Sequence, residues 1–270
     1  MAIITISRGS YSMGVIVAER VAAQLGYSVI SRDLLLSASD RFHIPEIKLV
    51  RAIHDAPTIL ERFRHSKQSY LAYIRSALVD RVSSDNVVYH GLAGHVLLKN
   101  IKGVLKVRIT ADIDYRAARE AARENISEQE ARSILEKDDH QRRGWAKSIH
   151  GVDPWDSSLY DLVIRIDRFK VDDAVSFICQ AAQSEAFRTT EESMQQVKDM
   201  ALACRVKAEI VDDFPTLGVT CQYGNVIVYT KDKSHSSKLQ KHLDEIRKNN
   251  SGIYNLEIHS SGGTFPPDAV

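Results

Sequence analysis

Cysteine is scarce. Cys179, Cys204 and Cys221 are an odd number without CxxC spacing, which argues against both a disulfide framework and a cysteine zinc site and fits a reducing, cytoplasmic setting. Net charge is nearly absent too. The 36 basic and 35 acidic side chains leave a formal +1, so no global field draws the chain to nucleic acid or to an anionic membrane, and any anion site must be local. No run of about 18 apolar residues occurs. Met1 to Arg8 lacks the basic segment and long apolar core of an export signal, so the expectation is a protein neither exported nor membrane-spanning. Gly-x-Ser-x-Gly, HExxH and EF-hand patterns are missing, which removes support for hydrolase and metal-site readings.

What is present is an ordinary globular composition, 44% hydrophobic and 26% charged, in 270 residues, enough for two domains. Ala2 to Ser7 is a β-branched run ending in a Gly/Ser turn, and an amphipathic helical pattern follows from Val15 to Leu25. Tyr27 to Ile30 starts a second strand before a helical Asp33 to Ser39 segment. A charged helical stretch runs from Pro45 to Val82. Strand patterns then fall at Asn86 to Gly91, Val104 to Thr110 and Tyr160 to Ile166, with helical ones from Ile113 to about Lys147 and from Val171 to Gln183. Strands alternating with helices predict an α/β fold, a parallel sheet with helices on both faces.

The pattern changes after Phe187. A helix from Glu191 to Cys204, short strands at Ala208 to Val211, Leu217 to Gln222 and Asn225 to Tyr229, a helix from Ser236 to Lys248 and a last strand from Ile253 to His259 predict a small α+β domain. The expected division is a first domain over 1–183, a linker over 184–190, the small domain over 191–262 and a frayed tail over 263–270.

The loop after the first strand is Gly9-Ser10-Tyr11-Ser12-Met13-Gly14, preceded by Arg8 and followed by Val15 and Ile16. Its two glycines keep the GxxxxG frame in which backbone N–H groups curl around a phosphate, but the next two positions lack the lysine and the Ser/Thr that such loops use. Two glycines five apart also suit a plain strand-to-helix turn. The flanking helix N-terminus, Arg8, Ser10 and Ser12 favour an anion site, with Arg8 the available substitute for the missing charge.

A second basic cluster, Asp138-Asp139-His140-Gln141-Arg142-Arg143-Gly144-Trp145, stands between two late strands. Arg142 and Arg143 suit a lid in which guanidinium groups bridge phosphoryl oxygens, a reading that the position between strands favours over a solvated helix face. Arg108, Arg116, Arg119 and Arg123 read as surface ion-pair partners. His90 and His95 flank a glycine-rich turn at the carboxyl end of a strand, where α/β folds place ligands, so either they line an acceptor pocket or they are ordinary turn histidines. Arg32 and Asp33 follow the second strand in the same way, although Asp33 also suits a helix N-cap.

Together, Ile4-Thr5-Ile6 with Ser7-Arg8-Gly9, Ile30-Ser31-Arg32-Asp33, Val87-Val88-Tyr89-His90-Gly91 through His95, Lys137-Asp138-Asp139 with Arg142-Arg143-Gly144-Trp145, and Tyr160-Asp161-Leu162-Val163-Ile164 make residues 1 to about 183 similar to the cytidylate kinase-like family. The resemblance implies a P-loop nucleoside monophosphate kinase fold, ATP and Mg²⁺ on the donor side and a nucleoside monophosphate, by family CMP, as acceptor. By position it assigns Gly9 to Gly14 to donor phosphates, Arg32 and Asp33 to the acceptor side, and Arg142 and Arg143 to the lid. Val15, Ile16 and Leu92 depart from the family pattern and set phosphoryl transfer in question. The segment around Tyr223-Gly224-Asn225 resembles a BON domain, which implies binding of a small ligand or protein partner. Two classes are thus open: a kinase-like enzyme of weakened activity, and a regulatory protein that uses the kinase fold as a scaffold. Homo-oligomers fit either.

Overall fold

The computed structural model describes residues 2–9, 13–31, 33–44, 49, 67–84, 86–91, 93–99, 101–231, 237–260 and 262–270. Ser10, Tyr11, Ser12, Arg32, Leu92 and most of the 45–66 stretch therefore lie outside the described residues. The elements are β1 (Ile3–Arg8), α1 (Gly14–Leu25), β2 (Ser28–Ile30), α2 (Asp33–Phe42), α3 (Lys67–Val82), β3 (Val87–His90), α4 (Gly94–Leu97), β4 (Val104–Thr110), α5 (Ile113–Glu124), α6 (Glu128–His150), β5 (Leu162–Arg165) and α7 (Val171–Gln183). They are followed by α8 (Glu191–Ile210), β6 (Gly218–Gln222), β7 (Asn225–Thr230), α9 (Ser237–Asn249) and β8 (Asn255–Ser260).

The described residues of 1–33 and 84–189 form one compact unit, and those of 34–52, 60–83 and 190–270 form another. The first holds a five-stranded parallel sheet in the order β2-β3-β1-β4-β5. Its register separates two faces. Ile4, Ile6, Val88, Leu105, Val107, Ile109 and Ile164 project to one side, where Val17, Ala18, Val21 and Ala22 of α1 and Ala174, Val175, Ile178 and Cys179 of α7 close the core. Thr5 pairs with Tyr89 and Lys106, and Ser7 with Arg108, on the other side. Because side chains alternate along a strand, this second face is polar where the first is apolar. The short α4 covers part of it: a Cβ on Gly94 would come within 2.5 Å of the Tyr89 ring and 3.2 Å of Thr5 Cβ, so only glycine permits that approach.

The stretch expected as one long helix from Ile113 is two. Asn125 turns left-handed at φ 55, and the Ser127 side chain accepts from Glu130 N to start α6. Ala117, Ala121, Ala131 and Leu135 pack the two helices on each other.

In the second unit, β6 and β7 form an antiparallel hairpin and β8 pairs parallel to β7. Residues 208–211, expected as a strand, complete α8 and the turn after it, because Leu202, Ala203, Val206 and Ile210 present one helical stripe to Val219, Val226 and Val228. Lys207 is buried on the same helix and donates from Nζ to Pro215 O at 2.9 Å and to Leu217 O, and burial lowers its pKa to about 8. The tail, expected to fray, is paired: Val219 N donates to Val270 O at 3.2 Å and Val270 N to Val219 O at 2.9 Å. Arg205 of α8 binds Asp80 of α3 at 2.8 Å, and Phe42 of α2 stacks on Tyr73 of α3 at 4.3 Å, so residues read from sequence as part of the first domain pack here with the C-terminal elements. The cysteines are free thiols; burial pushes Cys204 up to about 11 and Cys221 to about 12, so both stay protonated and unreactive.

Candidate active site

β1 lies between β3 and β4, and the chain leaves β1 toward β2 on one side and β3 toward β4 on the other. At such a reversal the carboxyl ends of neighbouring strands leave a crevice for ligands. Ser7, Arg8, His90, Arg108 and Thr110 stand at those ends.

The described part of the glycine loop is built around Arg8. A Cβ on Gly14 would lie 2.7 Å from Arg8 Cβ and 3.0 Å from Cδ, so the arginine stem runs against the first residue of α1 and requires glycine there. Gly9 N donates to Ile109 O at 3.1 Å, which ties the start of the loop to β4. Met13 adopts φ 56 and provides no side-chain cap, and the first turn of α1 contains no acidic residue. By contrast, α5, α6 and α8 begin with Asp112, Ser127 and Thr190 as side-chain caps. Among the described residues, no N-cap side chain or acidic first-turn residue meets the partial positive charge at the N-terminus of α1. Val15 is half-buried and Ile16 is exposed, and neither offers a charge or a hydroxyl.

Beside the loop, a cavity of about 310 Å³ opens on the polar face of the sheet. Gly9, Arg108, Thr110 and Val163 form its floor, and Arg116, Asp139, Trp155 and Ser157 its walls. Arg116 is buried and binds Asp139 at 2.9 Å, which joins α5 to α6. Arg108 donates to Pro154 O, and its guanidinium lies 5.7 Å from the Tyr160 ring centre. The Tyr160 hydroxyl donates to the same Pro154 O at 3.0 Å and lies 3.4 Å from Ser7 Oγ. With that proton committed, His95 Nε2, 3.3 Å from the tyrosine oxygen, acts as donor. Its Nδ1 is buried without a hydrogen-bond partner among the described residues. Burial, then the charges of Arg108, His150 and Lys106, lower the His95 pKa to about 4, so the ring is neutral near pH 7.

Of the two lid arginines, Arg142 is half-buried on α6. Arg143 is engaged: its Nε lies 3.0 Å from both Asp153 carboxylate oxygens and its Nη2 2.5 Å from Oδ2. Lys147 adds a contact at 3.0 Å, and Trp155 N donates to Asp153 Oδ1 at 3.1 Å. Arg143, the loop N–H and Lys147 hold the Asp153 carboxyl below the usual carboxylate range. The Trp155 ring centre is 4.4 Å from the Arg143 guanidinium.

The structure thus brings Arg8, Gly9 and Gly14 to one end of the sheet, near the helix that carries Arg142 and Arg143. His90, half-buried, ends β3, whereas His95 turns inward onto Tyr160 and is absent from the cavity wall. Asp33 opens α2, with only its backbone described. The sequence reading missed Ser7, Asp153, Trp155 and Tyr160 and treated Arg108 as surface. The alternation Lys106, Arg108, Thr110 against Leu105, Val107, Ile109 is the signal that could have identified Arg108. Arg123 does pair on the surface, with Glu120 at 2.7 Å and Glu124 at 2.9 Å.

Among known proteins, residues 3–168 match the family model described as the cytidylate kinase-like family. A cytidylate kinase of Sulfolobus acidocaldarius is 28% identical over 168 residues, 60% of this chain and 84% of that protein. A cytidylate kinase of Methanopyrus kandleri is 38% identical over 85 residues, 30% of this chain and 44% of that protein. Over that relative and those of Methanocaldococcus jannaschii (59%) and Thermoplasma acidophilum (52%), the chain spans about half the length of the curated relatives it matches. The crystal structure of an uncharacterized protein from Eubacterium ventriosum aligns with a TM-score of 0.53 at 21% identity, covering 68% of this chain and all of that one, a likeness of fold alone.

Proposed function

The chain belongs to the cytidylate kinase-like family, and from that premise we propose that its first unit binds nucleotides, ATP as donor and a nucleoside monophosphate such as CMP as acceptor, with weak or lost phosphoryl transfer between them. The observation that carries this reading is the cavity at the carboxyl ends of β1 and β4, lined by Gly9, Arg108 and Arg116, beside a helix whose N-cap residue, Met13, makes no side-chain cap bond. Backbone N–H groups and guanidinium groups are the donors that phosphate oxygens need.

The impairment rests on Val15 and Ile16. Phosphoryl transfer is accelerated by positioning and by charge placed on the transferring group, and an isopropyl and a sec-butyl side chain supply neither. Mg²⁺ fits poorly at that point. The two side chains offer it no oxygen. ATP phosphates fit the open helix end better. In this reading Arg8 lends charge from the strand side, Gly9 to Gly14 cradle phosphate, Arg32, Asp33 and His90 face the acceptor, and Arg142 and Arg143 belong to the lid. The C-terminal unit, BON-like in sequence, serves to bind a small ligand or a protein partner.

Calorimetric titration with ATP and with CMP, run beside a coupled assay for ADP release, tests the proposal. Binding of either nucleotide with little ADP release is the expected result. Rapid CMP-dependent ADP release would remove the claim of impaired transfer, and no binding of any mononucleotide would remove the whole reading.

A further inference from the structure

Trp155 is a large apolar side chain left half exposed, at 52%, in a segment with no strand or α-helix of its own. An exposed indole in a loop ordinarily samples several rotamers, and nothing in folding requires it to be held. Here it is held. Asp153 accepts from Trp155 N and is itself gripped by Arg143 and Lys147, while Pro154 O, the next carbonyl, accepts from both Arg108 and Tyr160. The Arg143 guanidinium lies 4.4 Å from the ring centre, within the range of a cation–π contact. Five polar side chains from β4, α6 and the loop itself thus position one indole on the wall of the 310 Å³ cavity.

The rest of that wall is built for an anion. The charged residues that line it are Arg108, Arg116 and Asp139, and Asp139 is paired with Arg116 at 2.9 Å. Arg108, whose contacts are a carbonyl and a ring, keeps its charge uncompensated by that carboxylate. A pocket near 300 Å³ is at the lower end of those that take small organic ligands and suits one mononucleotide rather than a dinucleotide. An aromatic side chain and a guanidinium group lining one cavity match the two parts of such a ligand, a flat π-surface and a phosphate.

From this we infer that Trp155 is the base-stacking platform of the cavity, with Arg108 the cation that takes the phosphate, so that this loop tryptophan sets the preference for ligands that carry a nucleobase. The inference rests on the proposed nucleotide reading. Stacking on an aromatic side chain tolerates any base. The indole therefore separates nucleotides from base-free phosphates and does not choose among bases. The guanidinium behind the ring is a positioning group: it holds the indole and strengthens the ring's attachment without touching the ligand.

Only two tryptophans occur in the chain, and Trp145 is buried. The experiment uses the full chain and measures dissociation constants for ATP, CMP, ribose 5-phosphate and inorganic tripolyphosphate, in the unaltered protein and in Trp155→Ala and Trp155→Phe, together with tryptophan emission during each titration. The expected result is quenching by both nucleotides and not by the base-free phosphates. Trp155→Ala should weaken both nucleotides by about 5- to 150-fold and leave ribose 5-phosphate and tripolyphosphate within about twofold, and Trp155→Phe should recover most of the loss. If Trp155→Ala weakens base-free phosphates as much as nucleotides, or changes neither, Trp155 only closes the loop over Arg143 and the inference falls, while the nucleotide reading stands. If the unaltered protein binds no nucleotide, both fall.

Discussion

The two faces of the five-stranded sheet are made by the same strands and serve different ends. On β4, Leu105, Val107 and Ile109 point into a core closed by α1 and α7, and all three are fully buried. Lys106, Arg108 and Thr110, one step away in sequence, point into a polar layer with Ser7, Tyr89, Tyr160 and His95. The apolar face binds the unit together through area removed from water. The polar face is held by hydrogen bonds that also shape a cavity, so substitutions there should separate stability from binding, whereas substitutions on the apolar face should not.

The largest expected effect comes from the apolar side. Leu105→Ala removes buried methyl groups against α1 and α7 and should destabilise the unit by about 2–5 kcal/mol. Denaturant unfolding would read this, and the fraction still folded should keep its nucleotide affinity. A loss of affinity at unchanged stability would erase the distinction between the faces.

The next effect belongs to His95. Its folded-state pKa, about 4, lies below the ordinary histidine value, so between about pH 4 and 6.5 the unfolded chain binds more protons than the folded one. The stability due to the neutral, buried ring is therefore complete above about pH 6.5 and is lost as pH falls toward 4, amounting to roughly 3 kcal/mol. His95→Gln keeps an N–H donor toward Tyr160 without a titrating group. Its unfolding free energy should lose that slope, and an unchanged pH profile would show that another group carries it.

A smaller change in stability and a larger one in binding are expected for Arg108→Met, which keeps the length of the stem and removes the charge. Stability should fall by about 0.5–1.5 kcal/mol, from one hydrogen bond to Pro154 O, while affinity for ATP or tripolyphosphate should fall by about 10-fold. Equal affinities would move the phosphate away from this floor of the cavity.

Where the sequence could be read and where it could not follow the same division. The apolar alternation at Val104 to Thr110 and the 3.6-residue period from Val171 to Gln183 located β4 and α7 to the residue, because short-range burial dictates both. The break between α5 and α6 was also written locally, in Ser127 and Glu130, but helical propensity on both sides hid it. Residues 208–211 looked like a strand because Ile210 and Val211 are β-branched, and packing of Val206 and Ile210 on β6 and β7 overrode that preference. The cavity was least legible. His95 and Tyr160 meet across 65 positions and Arg108 and Pro154 across 46, and no local pattern announces such pairings. The wide grouping of α2 and α3 with the C-terminal elements was hidden for the same reason. It also means that a chain ended at Ser184 would strip α3 of α8, including the Arg205 to Asp80 contact, and leave α2 and α3 without the rest of their unit.

The central claim is that a nucleotide site persists around a loop that has lost its catalytic side chains. Installing Val15→Lys and Ile16→Ser together, and measuring ATP-to-CMP phosphoryl transfer beside ATP affinity, tests it most directly. Transfer should rise by at least about 100-fold with affinity changed far less. Unchanged transfer in a folded variant that still binds ATP would contradict the account, since it would place the defect, or the chemistry, somewhere other than this loop.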